Sequence, residues 1–346
     1  MPPHRYGGCD TRVQCLVTGA TGFIGRKLVP SLVARGCRVT ALVRQSSSAF
    51  AEEAFADEAF ADEPFAGENL VVTHSCDLQA ATSDLHCEGI DVVFHLAAVA
   101  HQYATPAQYA AVNVEATLRL AQASLAGGVR RFVYFSSVKA CSLPTSAGER
   151  GHHPLFDNPG EGTVAPLHDY ATSKAMAEYR LRELCRQSPM ELVIVRPALV
   201  YDVDSPGHLA WLRRWVDLHM PAPPDVGARS MVSREDLVRL AGDLLDLSRP
   251  MPAQITATDG EVYSLRRLHA ALCEARRRRP WLPSPPPAVW RVFAGVFDRL
   301  VRIAPGSTWQ RFAGRDIHEQ QGFDAMGFTP RLNFEACLAG RNGTRS

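Results

Sequence analysis

Tyr170 and Lys174 stand four residues apart in DYATSKAMAE, a spacing that places both side chains on one face of a helix. A phenol with its ordinary pKa of about 10 exchanges protons poorly at neutral pH. An ammonium group one turn away favours the phenolate and is expected to draw that pKa down. The pair therefore reads as a proton donor and its electrostatic partner, suited to chemistry at a carbonyl or an alcohol. Lysine is scarce here, with Lys27, Lys139 and Lys174 the only three among 37 basic residues, so the spacing seldom arises by chance. Ser137 closes the run RRFVYFSS, where it would reach the same crevice and hydrogen-bond the reacting oxygen. An N-cap or turn serine would look the same in sequence.

A second constellation lies near the N-terminus. TGATGFIG carries Gly19, Gly22 and Gly25 between an apolar run and a helical pattern. Strand, glycine array and helix in that order form a dinucleotide-binding turn: glycines permit the tight turn, the close approach of a pyrophosphate and the packing of helix on strand. Thr21, Gly22, Phe23 and Ile24 then lie where helix N-terminal amides face the phosphates. An acidic residue at the end of the second strand would bind a ribose 2′-hydroxyl, whereas an arginine accommodates a 2′-phosphate. The chain has Arg44 followed by Gln45, Ser46 and Ser47, which favours NADP and leaves NAD open.

These residues need a frame that brings distant segments together. Strand-like runs occur at 14–19, 38–44, 69–75, 91–98, 130–137 and 191–197, with helical patterns at 23–36, 107–127 and 170–187. Such alternation predicts a parallel sheet with helices on both faces. Gly36 suits a helix C′ position, and Pro30 should kink the first helix. Beyond Pro197 prolines cluster and regular alternation stops. The expectation is an α/β fold: a doubly wound dinucleotide-binding domain over 11–196 and a smaller substrate-binding lobe over 197–340, some of whose segments return to the first domain.

The bulk features narrow the class. The 346 residues are 46% hydrophobic with a formal net charge of +1, which excludes a wholly disordered chain and gives no global argument for nucleic acid or an anionic membrane. Nine cysteines include no C-x-x-C pair, so neither a zinc site nor a disulfide framework is expected, and reduced thiols fit a cytoplasmic protein. No apolar run approaches the roughly 18–20 residues of a membrane span. Residues 49–68 repeat x-F-A-x-E four times and hold seven acids and no base. They read as an exposed insert, with a partner-binding segment as the other reading. Without that block the formal charge rises from +1 to +8. The arginine run at 276–279 reads as a solvated helix end.

TGATGFIG, Asp77-Leu78, HLAA at 95–98, VNVEAT at 112–117, FVYFSS at 132–137, the Y-x-x-x-K pair, VIVRPALVY at 193–201 and GFTP at 327–330 resemble, in order, the motifs of extended short-chain dehydrogenases/reductases. These are relatives of the nucleotide-sugar epimerases and dehydratases. SSVK at 136–139 and RSMVSREDLV at 229–238 resemble bacterial 4-reductases and 4-epimerases of the quinovosamine dehydrogenase type. The resemblance implies a Rossmann fold and NAD or NADP as cofactor. It implies a Ser137/Tyr170/Lys174 triad, with Asp77 and Leu78 at the adenine and Ala97 and Ala98 along the nicotinamide and phosphate path. It further implies Lys174 on the nicotinamide ribose, Pro197 beside the carboxamide and Arg229 on a sugar-nucleotide diphosphate. A homodimer would be ordinary in this family.

Two departures concern the substrate: Ala140, Cys141 and Ser142 stand where a V-Y-G or V-N-G turn is usual, and Asp202 replaces a glycine. Val138-Lys139 occupies the positions of a dehydratase's Asp-Glu, which argues against dehydration. The expected reaction is reduction of the C4 ketone of a UDP-linked 6-deoxy-hexosamine, with 4-epimerisation as the alternative. A reductase of non-sugar ketones and a non-catalytic cofactor sensor are the remaining readings.

Overall fold

The computed structural model describes residues 12–43, 71–75, 85–100, 104–142, 170–300 and 306–340. Arg44, Asp77, Leu78 and the acidic repeat lie outside the described residues.

The main sheet is built from β1 (Gln14–Thr18), β2 (Arg38–Val43), β3 (Val71–Ser75), β4 (Val92–His95), β5 (Arg131–Phe135), β6 (Glu191–Pro197) and β9 (Gln254–Ala257). Their order is β3-β2-β1-β4-β5-β6-β9, and every neighbouring pair is parallel. The direction of strand order reverses between β1 and β4, where a doubly wound sheet opens its ligand crevice at the strands' C-terminal ends. β9 comes from the proline-rich C-terminal half, where sequence showed no strand alternation. It is four residues long, too short for a legible period.

Alternation along each strand sorts side chains onto two faces. Cys15, Val17, Val92, Phe94, Val133, Phe135, Val193 and Val195 pack with Leu28, Val29 and Leu32 of α1 (Gly25–Ala34) and Leu237 and Leu240 of α6 (Arg234–Asp243). Leu16, Val93, Phe132, Tyr134 and Ile194 point the other way, onto Leu120 of α3 (Ala116–Ala126) and Ala177 and Leu181 of α4 (Tyr170–Cys185). Both faces of the sheet are thus dry, and each such side chain contributes about 1.5–3 kcal/mol by burial.

α1 begins at Gly25, includes Pro30 and continues to Ala34. It ends as expected at Gly36, whose φ is +82°. The Cys37 and Gly36 amides donate to the carbonyls of Leu32 and Val33, the paired bonds of a Schellman cap. The helical pattern at 107–127 is interrupted. After α2 (Pro106–Tyr109), residues Ala110–Glu115 form a π-helical segment before α3 resumes. Such bulges concentrate at functional sites.

Beyond β6 the chain forms β7 (Leu199–Tyr201), α5 (His208–Asp217), β8 (Arg229–Ser233), β10 (Val262–Tyr263) and α7 (Leu265–Ala275). β10-β8-β7 make a small second sheet over a separate core of Tyr201, Leu212, Met231, Leu272 and Phe334. Helices α8 (Pro287–Leu300) and α9 (Ser307–Ala313) follow, then α10 (Phe323–Met326) and α11 (Phe334–Gly340).

Candidate active site

The glycine turn is shaped by its neighbour. Gly19 has φ +68°, and a Cβ there would lie 2.8 Å from the Ala97 amide nitrogen; one at Gly25 would lie 2.2 Å from the Gly19 carbonyl oxygen. Only hydrogen fits at either position. α1 starts without a side-chain cap or an acid in its first turn, which leaves its amide dipoles for an anion. Thr21 and Gly22 are exposed and Phe23 and Ile24 half-buried, at the rim of this cradle. Ala97 and Ala98 follow β4 directly beside it. The pinched turn, the uncapped helix start and the small residues opposite fit a dinucleotide.

The fold brings Ser137, Tyr170 and Lys174 into one place. Ser137 follows β5, and Tyr170 opens α4 with its phenol close enough to Ser137 for that hydroxyl to lower its pKa. The buried Lys174 Nζ donates to the Phe135 carbonyl at 2.8 Å. It lies 4.5 Å from the centre of the Tyr134 ring and 6.0 Å from that of Tyr170.

The electrostatics differ from the expectation. Burial pushes the Tyr170 phenol up to about 12, against a downward pull from Ser137. Burial also lowers Lys174 to about 7, with Glu178 opposing. The anticipated depression of Tyr170 by Lys174 is not seen: desolvation of the phenolate is the largest influence, and the downward pull comes from Ser137 rather than from the lysine. Tyr170 therefore stands protonated at neutral pH.

A polar chain missed in the sequence joins the two constellations. The Ala97 amide donates to Thr18 Oγ1 (3.2 Å), which pairs with His95 Nδ1 at 2.6 Å. His95 Nε2 meets Thr117 Oγ1 at 2.8 Å, and Thr117 donates to the Asn113 carbonyl at 2.9 Å. Since the Thr117 proton goes to that carbonyl, Nε2 carries the imidazole proton and Nδ1 accepts from Thr18. The π-helical Asn113 exchanges bonds with the Val99 amide and carbonyl and donates to Ser173 Oγ at 2.9 Å. Ser173 in turn donates to the Tyr170 carbonyl at 2.8 Å. Each link holds the next, from glycine turn to proton donor. Burial lowers His95 to about 3, so it stays neutral and keeps one tautomer.

Glu178, one turn beyond Lys174, is also buried. It accepts from Ser136 Oγ and Arg182, and from Arg196 through two nitrogens. Its place in a Y-x-x-x-K-x-x-x-E series was a readable signal, because the same helical face continues.

The remaining expected site residues divide. Pro197 is buried at the end of β6 beside Ala257. Arg229 opens β8 in the second sheet, with Nε on the Gly227 carbonyl at 3.0 Å; burial lowers its pKa, opposed by Asp316. Asp202, the departure from the family glycine, pairs with Arg234 at 2.7 Å and Lys27 at 3.6 Å. Burial alone would raise its pKa, but these cations hold it below the ordinary carboxylate value. Arg234 also donates to the Phe23 carbonyl at 3.1 Å and lies 4.4 Å above the Phe23 ring. Asp202, just past β7, thus braces the glycine turn through Arg234.

Residues 15–209 match the family model described as NAD dependent epimerase/dehydratase family. A UDP-glucose 4-epimerase of Vibrio cholerae is 30% identical over 294 residues, 82% of each chain. The 4-hydroxy-2-methyl-3-oxo-4-farnesyl-3,4-dihydroquinoline-1-oxide ketoreductase of Stigmatella aurantiaca is 29% identical over 276 residues, 76% of this chain and 73% of its own. The Bordetella bronchiseptica enzyme WbmG, solved in complex with NAD and UDP, superposes with a TM-score of 0.66 at 16% identity, over 96% of this chain and 94% of that one, a likeness of fold. With its glycine turn, its order of motifs and these relatives, the chain belongs to the NAD dependent epimerase/dehydratase family, within the extended short-chain dehydrogenases/reductases.

Proposed function

We propose that the protein reduces a ketone at C4 of a UDP-linked 6-deoxy-hexosamine or a closely related nucleotide sugar. The observation that carries this reading is Tyr170, set beside Ser137 and held protonated by burial, the form that a ketone reduction consumes. When bound, the nicotinamide cofactor supplies the hydride to the carbonyl carbon. Gly19, Thr21, Gly22, Phe23, Ile24, Ala97 and Ala98 would hold its phosphates and ribose, and Pro197 would lie beside the carboxamide. Tyr170 gives its proton to the developing alkoxide, and the Ser137 hydroxyl polarises the same oxygen. Lys174, fixed by the Phe135 carbonyl and 6.0 Å from the Tyr170 ring centre, in its ammonium form stabilises the phenolate that Tyr170 becomes on giving up its proton. Arg229 offers a planar guanidinium to a diphosphate. Arg44 supports NADP as the cofactor, and Asp77 and Leu78 support adenine binding.

The Vibrio cholerae relative favours a second reading, 4-epimerisation, in which the ketone is a transient intermediate and the cofactor is not consumed overall. Incubation with NADPH or NADH and a UDP-4-keto-6-deoxy-hexosamine separates the two. Stoichiometric loss of the reduced-nicotinamide absorbance is expected. Isomerisation of UDP-N-acetylglucosamine or UDP-glucose without net cofactor use would replace the reductase reading with the epimerase one.

A further inference from the structure

Helix α8 shows two unlike faces. Trp290 packs toward Trp215 of α5, with ring centres 5.8 Å apart, and Ala294 and Asp298 are buried. These residues, four apart, define the inner side. On the opposite side Val292, Phe293, Val296 and Leu300 are 67%, 64%, 52% and 76% exposed. Trp281 and Leu282, in the loop leading to α8, are 79% and 65% exposed. Trp281 stacks on His219, just past the end of α5, at 4.9 Å. Loop and helix thus both rest on α5 and leave large apolar groups in water.

The segment itself is strongly basic. Residues 276–300 contain six arginines and a single acid, Asp298. Asp298 is turned inward, accepting from the Gly306 and Thr308 amides at 2.7 and 3.0 Å. Arg276 is paired with Asp217. Arg277, Arg278, Arg279 and Arg299 are exposed, and no carboxylate lies within ion-pair distance of them among the described residues. The near-zero net charge of the chain conceals this local excess.

An amphipathic helix with bulky apolar residues on one side and arginines around it is built to lie in a lipid–water interface. Among the described residues no helix is long and apolar enough to cross a membrane, so the contact would be superficial. We propose that α8 and the 276–284 loop dock the protein onto an anionic lipid surface. The charge distribution favours lipid over a second copy of the chain. A two-fold contact through this face would gather both copies' arginines in one interface, whereas acidic headgroups neutralise them.

The test is co-flotation of the full-length protein with phosphatidylcholine vesicles, with and without phosphatidylglycerol, at low and high salt. Association is expected with the anionic vesicles only, weakened by salt. The double variant Phe293→Glu/Val296→Glu should lower partitioning by roughly tenfold or more. Arg277→Gln/Arg278→Gln/Arg279→Gln should weaken it by a similar factor. Both variants alter exposed side chains and should keep the wild-type circular dichroism spectrum and melting temperature. Failure of the wild type to float with anionic vesicles would overturn the proposal, as would full binding by the glutamate variant. A wild-type dimer that the glutamate variant dissociates, without vesicle binding, would assign the face to a second copy instead.

Discussion

Replacing His95 with phenylalanine separates two consequences of burying an imidazole. The ring contributes hydrogen bonds to Thr18 and Thr117, and it cannot take up a proton without losing one of them. Burial lowers its pKa from 6.5 to about 3. Between those values the unfolded chain binds a proton that the folded one refuses, so stability is fully present above about pH 6.5 and drains away as pH falls toward 3. The slope approaches 1.4 kcal/mol per pH unit and the total about 5 kcal/mol, a large share of the roughly 5–15 kcal/mol that holds a domain folded. Phenylalanine keeps the ring stacked on Tyr134, now 5.8 Å away at 24°, but does not titrate. At neutral pH it forfeits the bonds at 2.6 and 2.8 Å and leaves the Thr18 hydroxyl without an acceptor, a loss of about 2–4 kcal/mol. His95→Phe should therefore be the less stable protein at pH 7, and the gap should close on acidification until the curves meet near about pH 4. Urea unfolding at several pH values measures this directly, since every other titrating group is common to both proteins. Curves that stay parallel from pH 7 to 4 would refute the buried, neutral assignment of His95.

Three further outcomes are expected. Tyr170→Phe removes the proton donor with almost no change in volume, so turnover should fall a hundredfold or more at unchanged thermal stability; near-normal turnover would remove Tyr170 from the mechanism. Gly25→Ala places a methyl group 2.2 Å from the Gly19 carbonyl oxygen and 2.7 Å from the Ala20 Cα. Because both obstacles are backbone, the turn must open and dinucleotide affinity by calorimetry should drop at least tenfold; unchanged affinity would place the phosphates elsewhere. Arg131→Met strips a buried guanidinium from Glu191 and from the Leu244, Asp246 and Arg249 carbonyls. Denaturant unfolding should show a loss of about 3–5 kcal/mol, and a loss under 1 kcal/mol would mean that the acceptors find other partners.

Sequence alone determined a good deal of this protein because its informative patterns are local. The glycine turn declares itself by position between strand and helix, and Tyr170 and Lys174 by a four-residue interval. The strands from Gln14 to Pro197 show as apolar runs because a parallel sheet covered on both faces needs them. What tertiary structure decided depends on partners far apart in the chain. β9 joins the main sheet from a region without strand periodicity, because its register is set by β6. Asn113 gains its role from a π-helical segment that brings it to Ser173, 60 residues away. The tautomer of His95 follows from two threonines separated by nearly a hundred positions, and Asp202 braces the glycine turn through Arg234. The pKa of Tyr170 moved opposite to the expectation because spacing reports only the nearby lysine. How much water the fold removes from around the phenol is set by every element packed over it, and that desolvation prevails.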